Sequence, residues 1–256
     1  MHIFYFSGTG NSYYVAKKIG GINDQVKITS ITSFSSKGKK QSDDETIVII
    51  SPLYFYSIPN IVASFLKNME FSNLKYLSVI FTAEYPNGLA MNAVKNICVQ
   101  RNINLGSSFY LKMPTNYLIK SKMLSNMEIE ETLQKANKKI NRIMGIIKDR
   151  KVYYEKDSML FSLITKANQY QNKWNEDFLQ FDKKFICNDS CTACKLCEKS
   201  CPVGNIKVDQ KPSWTGKCQA CLKCINICPK EAIQYDHFTE GKKRYFNPKI
   251  KISEMV

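Results

Sequence analysis

The sequence predicts an α/β protein: a doubly wound parallel sheet, then a helical connection, then a small cysteine-rich α+β module. Three observations predict it. Short apolar runs alternate with helical patterns from His2 to Met113. Long Lys- and Glu-rich stretches with helical periodicity follow. Nine of the ten cysteines then crowd between positions 187 and 228. A chain of 256 residues suits two modest domains, and 44% hydrophobic residues is enough for a core.

The first strand is His2–Phe6. The helix Asn11–Gly20 puts Tyr14, Val15 and Ile19 on one face. Val26–Ile31 reads as the second strand, and Ser33–Glu45 as a polar, charged loop. Thr46–Ser51 is a continuous apolar run, as a strand covered on both faces should be. Pro59–Met69 reads as a helix with proline near its first turn. Tyr76–Phe81 is a strand, Leu89–Arg101 a helix and Ser108–Met113 a strand. After Pro114 the pattern changes. Glu128–Lys148 is a long helix with Ile129, Leu133, Ala136, Ile140 and Ile143 as its apolar stripe. Met159–Phe181 is a second helical stretch, with aromatics at helical spacing that suit core packing. The expected domains are 1–155, a helical linker over 156–181, and 182–256.

No apolar run approaches the ~18 residues of a membrane span. The N-terminus lacks a basic region and runs straight into a glycine turn, so it reads as a strand and not as a signal peptide. The expected location is the cytoplasm. The formal charge is +15, with lysines spread along the whole chain. This pattern suits solvated faces better than a nucleic-acid stripe, and an acidic redox partner is the interaction it favours. There are two histidines, His2 and His237, and no Ser/His/Asp or Cys/His catalytic set is visible. If the chain is an enzyme, it is an electron-transfer oxidoreductase.

The cysteines hold the chemistry. The first run is Cys191-Thr-Ala-Cys194-Lys-Leu-Cys197-Glu-Lys-Ser-Cys201-Pro202. The second is Cys218-Gln-Ala-Cys221-Leu-Lys-Cys224-Ile-Asn-Ile-Cys228-Pro229. Cys191–Ile206 and Cys218–Ile233 superimpose at an offset of 27, so a half-module is duplicated. Three cysteines two residues apart lie on one short loop that can reach three irons of a cubane. The fourth iron takes its sulfur from the other run. The expected ligand sets are therefore Cys191, Cys194, Cys197 and Cys228 for one [4Fe–4S] cluster. For the other they are Cys218, Cys221, Cys224 and Cys201. Two tetrahedral zinc sites are the alternative, but zinc usually pairs two-cysteine knuckles. Cys187 is spaced poorly for the loop and reads as a non-ligand. Cys98, inside an amphipathic helix, reads as a small buried hydrophobe.

At the other end, strand one runs into Ser7-Gly8-Thr9-Gly10-Asn11-Ser12 and then a helix. Glycines, hydroxyls and a helix N-terminus form an anion cradle. The third glycine of a dinucleotide fingerprint is missing, as is the Gly-Lys-Ser/Thr ending of a P-loop. The loop resembles the phosphate loop of flavodoxins, which holds FMN. Two further loops belong at the carboxyl ends of strands. They are Pro52-Leu53-Tyr54-Phe55-Tyr56 and Thr82-Ala83-Glu84-Tyr85-Pro86-Asn87-Gly88.

With both halves in view, the chain resembles the flavodoxin–ferredoxin fusion family. The resemblance rests on the Ser7–Ser12 loop, Ser51-Pro52-Leu53-Tyr54 with Ile58-Pro59, and Met113-Pro114-Thr115-Asn116-Tyr117. The double cysteine run with Lys211-Pro212-Ser213-Trp214 between its halves completes it. It implies a flavodoxin-like sheet of order 2-1-3-4-5, a ferredoxin-like 2[4Fe–4S] domain, FMN, and electron transfer. FMN contacts are then expected from Ser7, Gly8, Thr9, Gly10, Asn11, Ser12, Pro52, Tyr54, Thr82 and Ala83. Relatives tend to carry a glycine-rich loop where this chain has Thr82-Ala83-Glu84-Tyr85. A carboxylate there would disfavour an anionic reduced flavin and lower its potential. The rival expectation is a flavin-free domain that docks redox partners for a ferredoxin-type carrier.

Overall fold

Branched and aromatic residues dominate the strands. The computed structural model describes residues 1–21, 24–34, 41–55, 57–85, 88–155 and 181–255. Most of the expected linker 156–181 lies outside them. The strands of the larger unit are β1 (His2–Tyr5), β2 (Lys27–Ser30), β3 (Gln41–Ser42) and β4 (Thr46–Pro52). They continue with β5 (Glu70–Phe71), β6 (Tyr76–Ala83), β7 (Leu105–Lys112) and β8 (Tyr153–Tyr154). Its helices are α1 (Asn11–Gly20), α2 (Asn60–Asn68), α3 (Gly88–Gln100) and α4 (Asn126–Lys148).

Six strands form one sheet in the order β2-β1-β4-β6-β7-β8, and every pairing in it is parallel. The five principal strands take the expected order 2-1-3-4-5, and β8 adds a sixth at the edge beside Ser107 and Ser108. Thr46–Ser51 is buried without interruption, and so is Tyr76–Thr82. Parallel strands connected by crossover helices have no solvent face, so both sides must be apolar. The stripe Ile129, Leu133, Ala136, Ile140 and Ile143 of α4 is buried, joined by Ile147. Cys98 is buried, and burial pushes its thiol up to about 11.

One close approach fixes the far edge. A Cβ on Gly106 would lie 2.2 Å from Cε2 of Tyr76, so only glycine admits that ring. The Tyr76 hydroxyl reaches Ser107 Oγ at 2.7 Å and the Lys151 carbonyl at 2.8 Å. The segment 33–45, expected as a loop, contains β3, which pairs in parallel with β5.

A second unit groups residues 181–255 with Gly8–Gly10 and Thr115–Ser125. Its strands are β9 (Phe185–Cys187), β10 (Ile206–Val208), β11 (Pro212–Trp214) and β12 (Ile233–Tyr235). Its helices are α5 (Leu196–Ser200) and α6 (Lys223–Ile227). β10 pairs with β11, and β12 with β9, both antiparallel. Phe181, Phe185 and Tyr235 pack at 4.6–5.7 Å between centroids, and Trp214 stacks on Phe185 at 5.2 Å. Such pairs add about 1 kcal/mol each beyond the area they bury. The 115–125 segment is tied in by Lys242, whose Nζ donates to the carbonyls of Leu118 (2.8 Å) and Ile119 (2.9 Å).

Candidate functional site

The duplication in the cysteine runs extends to backbone conformation. Ala193 and Ala220 have φ of 50° and 52°, and Lys195 and Leu222 have 60° and 55°. Gly204 and Glu231 have 60° and 48°. Each pair is 27 residues apart. Left-handed conformations cost a non-glycine residue about 1–2 kcal/mol, and they recur where a site demands them. Here they turn amides inward. Ala193 N donates to Cys191 Sγ at 3.5 Å and Ala220 N to Cys218 Sγ at 3.2 Å. Asn205 N donates to Cys201 Sγ at 3.2 Å and Ala232 N to Cys228 Sγ at 3.3 Å. These are the N–H···S contacts that hold and tune sulfur ligands.

Cys191, Cys194, Cys197 and Cys228 line one open pocket, together with Lys195 and Lys230. Three of these thiols come from the first run and the fourth from the second. Burial pushes Cys197 up to about 11, and the charges of Cys228 and Cys194 push the same way. The other set shows matching cross-talk. Burial raises Cys221 to about 11, with Cys201 adding to it. Cys224 and Cys218 are raised by burial and then by their fellow thiols, Cys201 among them. Thiols held together in this way lose their protons only when a cationic centre takes up the sulfurs. Among the described residues no three His, Cys, Asp or Glu side chains converge as ligands of a single ion would. The residues present fit an iron–sulfur core.

Arg244 supplies a further sign of fit. Its Nη2 donates to Gln234 Oε1 at 2.8 Å, while Nε and Nη1 are buried with no partner among the described residues. Burial lowers its pKa, opposed by the charges of Glu231, Cys228 and Cys224. Buried N–H groups this close to thiols of both sets suit a centre whose sulfurs accept hydrogen bonds. Cys187 ends β9, half-buried. Burial, hydrogen bonding and charge from Cys191 raise its thiol to about 12.

Two interactions had no signature in the cysteine spacing. Asp182, 5% exposed, accepts from Asn205 Nδ2 and from Gly216 N, both at 2.9 Å. Asn205 Oδ1 in turn accepts from Thr215 N (3.2 Å), Thr215 Oγ1 (3.1 Å) and Lys217 N (2.5 Å). This hub sets the approach to Cys218 and, through the Asn205 amide, the Cys201 thiol. The signal for it is a break in the repeat, since Asn205 is matched by Ala232. The second is Asn116, whose Nδ2 donates to the Cys221 carbonyl at 3.2 Å.

At the carboxyl edge of the sheet, Ser12 Oγ and Thr82 Oγ1 bond at 2.8 Å, both buried. Asn11 Nδ2 donates to the Pro114 carbonyl at 2.8 Å. Pro52 stands beside Thr82 in register, and Ala83 accepts from Met113 N at 2.9 Å. Tyr54 packs edge-on against Phe6 at 6.2 Å. Ser7 is buried, and the first turn of α1 contains no acidic residue. The Asn11 amide and the Ser12 and Thr82 hydroxyls are thus engaged within the protein. Gly8, Thr9 and Gly10 belong to the second unit by their contacts. Asn247 N donates to the Thr9 carbonyl at 2.9 Å. Gly10 has φ of 92°, and a Cβ there would lie 3.0 Å from Asn247 Cβ. Glu84 is half-buried.

Residues 2–111 match the flavodoxin domain family, and residues 188–204 and 215–236 match the 4Fe-4S binding domain family. No curated protein sequence matches the chain significantly. Among solved structures, one similar chain is a flavodoxin from the domain Archaea. It is 14% identical with a TM-score of 0.33, over 56% of this chain and 97% of that one. Another is an FMN-dependent NADH-azoreductase from Bacillus anthracis str. Ames Ancestor in complex with FMN. It is 10% identical with a TM-score of 0.38, over 56% and 97%. A third is the rubredoxin oxygen:oxidoreductase of Desulfovibrio gigas, 13% identical with a TM-score of 0.35, over 58% and 36%. A flavodoxin domain and a 4Fe–4S domain on one chain define the class, an electron-transfer protein. The chain is a flavodoxin–ferredoxin fusion. Among the described residues no helix is long and apolar enough to cross a membrane.

Proposed function

We propose that this protein is a cytoplasmic redox relay with two [4Fe–4S] clusters and one FMN. Cys191, Cys194, Cys197 and Cys228 hold the first cluster. Cys218, Cys221, Cys224 and Cys201 hold the second. The observation behind this reading is the duplicated loop, with matching left-handed residues and inward amides, whose last thiol sits with the other loop's set. The Ser7–Ser12 loop holds the flavin phosphate. Pro52, Tyr54, Thr82 and Ala83 border the ring. The clusters supply one-electron steps and the flavin can take one or two, so together they split a two-electron input. The chain's own residues set the environment. The amides of Ala193, Asn205, Ala220 and Ala232 stabilise charge on sulfur, and Glu84 disfavours negative charge on the reduced ring.

A second reading has one observation in its favour. Asn247 and Ile250 occupy the space beside Gly10, and the Thr9 carbonyl is already bonded. In that reading the first domain has no flavin and docks redox partners, leaving a ferredoxin-type carrier. Acid treatment of anaerobically purified protein separates the two. The relay releases about one FMN per chain and takes up about four electrons in a reductive titration. Full iron content with no released flavin supports the carrier.

A further inference from the structure

The two cysteine sets differ in exposure. In the first, Cys194 is exposed and Cys191, Cys197 and Cys228 are half-buried. In the second, Cys201 and Cys218 are half-buried, and Cys221 and Cys224 are buried, at 7% and 9%. Electron transfer between proteins falls steeply with distance, so the first set, with the one exposed thiol, is the nearer of the two to a docked partner.

The surroundings of the first set are basic. Two lysines and no carboxylate stand among the described residues that line its cavity. Lys195 caps α5, and Lys199 follows one turn later on the same side of the helix. Lys230 follows Pro229 and lines the same pocket. All three are exposed, and among the described residues none pairs with a carboxylate. The nearby acids are mostly engaged. Glu198 accepts from Val208 N at 3.1 Å and forms an ion pair with Lys207 Nζ at 3.6 Å. Asp189 pairs with Lys211 at 2.6 Å. Glu231 is exposed beside Lys230 and leaves the rim net positive. A cubane with four thiolates carries about −2 and would repel an acidic protein. A ring of unpaired lysines reverses that sign at the point of approach.

We propose that the first cysteine set is the chain's external electron port, and that an acidic one-electron carrier protein docks on Lys195, Lys199 and Lys230. The proposal rests on the two-cluster reading. One electron crosses per encounter: the chain loses it, the carrier is reduced by it, and no bond or proton changes hands.

The test uses the full-length, cluster-loaded protein, with an acidic flavodoxin and the basic cytochrome c as probe carriers. Calorimetry of oxidised protein with oxidised flavodoxin reads docking alone, and stopped-flow mixing of reduced protein with each probe reads transfer. Flavodoxin should bind, and more weakly as salt rises. Lys195→Glu/Lys199→Glu/Lys230→Glu should weaken binding and slow transfer to flavodoxin at least about tenfold at low salt, while speeding transfer to cytochrome c. If that variant loses iron, the Lys→Gln triple replaces it, with the same direction and a smaller change. Iron-replete variants that bind flavodoxin as wild type does overturn the proposal and leave the two-cluster reading intact. Wild-type protein without iron and sulfide overturns that reading instead. Flavodoxin binding untouched by substitutions that abolish retention of a single-stranded oligonucleotide would make this face a nucleic-acid surface, against the proposal.

Discussion

Replacing Asn205 by alanine removes the centre of the hub beside the cluster loops. The side chain is 1% exposed, so no water replaces its bonds without reorganisation. Its Nδ2 donates to the Asp182 carboxylate at 2.9 Å, and a hydrogen bond to a buried charge contributes about 1.5–3 kcal/mol. Lys217 N loses its acceptor, which costs about 1 kcal/mol more. Thr215 N keeps the Asn205 carbonyl at 3.0 Å and adds little. The total is about 3 kcal/mol, and it loosens the segment leading into Cys218. Cluster loss requires that segment to open, so bleaching of the visible absorbance in mild denaturant and chelator should quicken about a hundredfold. The Asn205 amide still reaches Cys201, so iron content at purification should stay near wild type. A second variant, Asn205→Asp, sets a carboxylate against buried Asp182 and should bleach faster still. A bleaching rate within about twofold of wild type for both variants would refute the hub as a support of the site.

Cys228→Ser should damage the set of Cys191, Cys194 and Cys197 and spare that of Cys218, Cys221 and Cys224. Iron should fall below about eight per chain, with one unaltered cluster signal in electron paramagnetic resonance. Arg244→Gln removes a buried positive charge felt by Cys228 and Cys224. It should lower the cluster potentials, with a tenfold change in the reduction equilibrium equal to about 59 mV, and Arg244→Lys should restore most of it. Redox titration checks both variants. Gly106→Ala drives a methyl into the Tyr76 ring, and overpacking of this kind costs about 1–3 kcal/mol. Calorimetry should show the sheet domain melting about 2–12 °C lower, with cluster absorbance unchanged at low temperature.

The sheet was legible because its strands are apolar on both faces, so Thr46–Ser51 and Tyr76–Phe81 stand out as unbroken runs. The helix Asn11–Gly20 was legible at both ends for the same kind of reason: an apolar face bounded by a glycine turn and a glycine pair. Strands β3, β5 and β8 were not, because two residues cannot show alternation. Their pairing is decided by distant neighbours such as Ser107 and Ser108. In the cysteine module, spacing exposes the eight thiols because covalent reach around a cubane dictates it. The left-handed turns at Ala193, Lys195, Ala220 and Leu222 were invisible, since none is a glycine. Asp182, Asn205 and Arg244 also escaped, because their partners are set by tertiary packing and not by position in a motif. The grouping of Gly8–Gly10 and Thr115–Ser125 with the C-terminal unit depends on contacts such as Asn247 with Thr9, which sequence order conceals.

Iron and acid-labile sulfide, measured together on protein purified without oxygen, test the central claim most directly. Two cross-closed cubanes require about eight irons and eight sulfides per chain. Protein with fewer than about four irons and no acid-labile sulfide would contradict it.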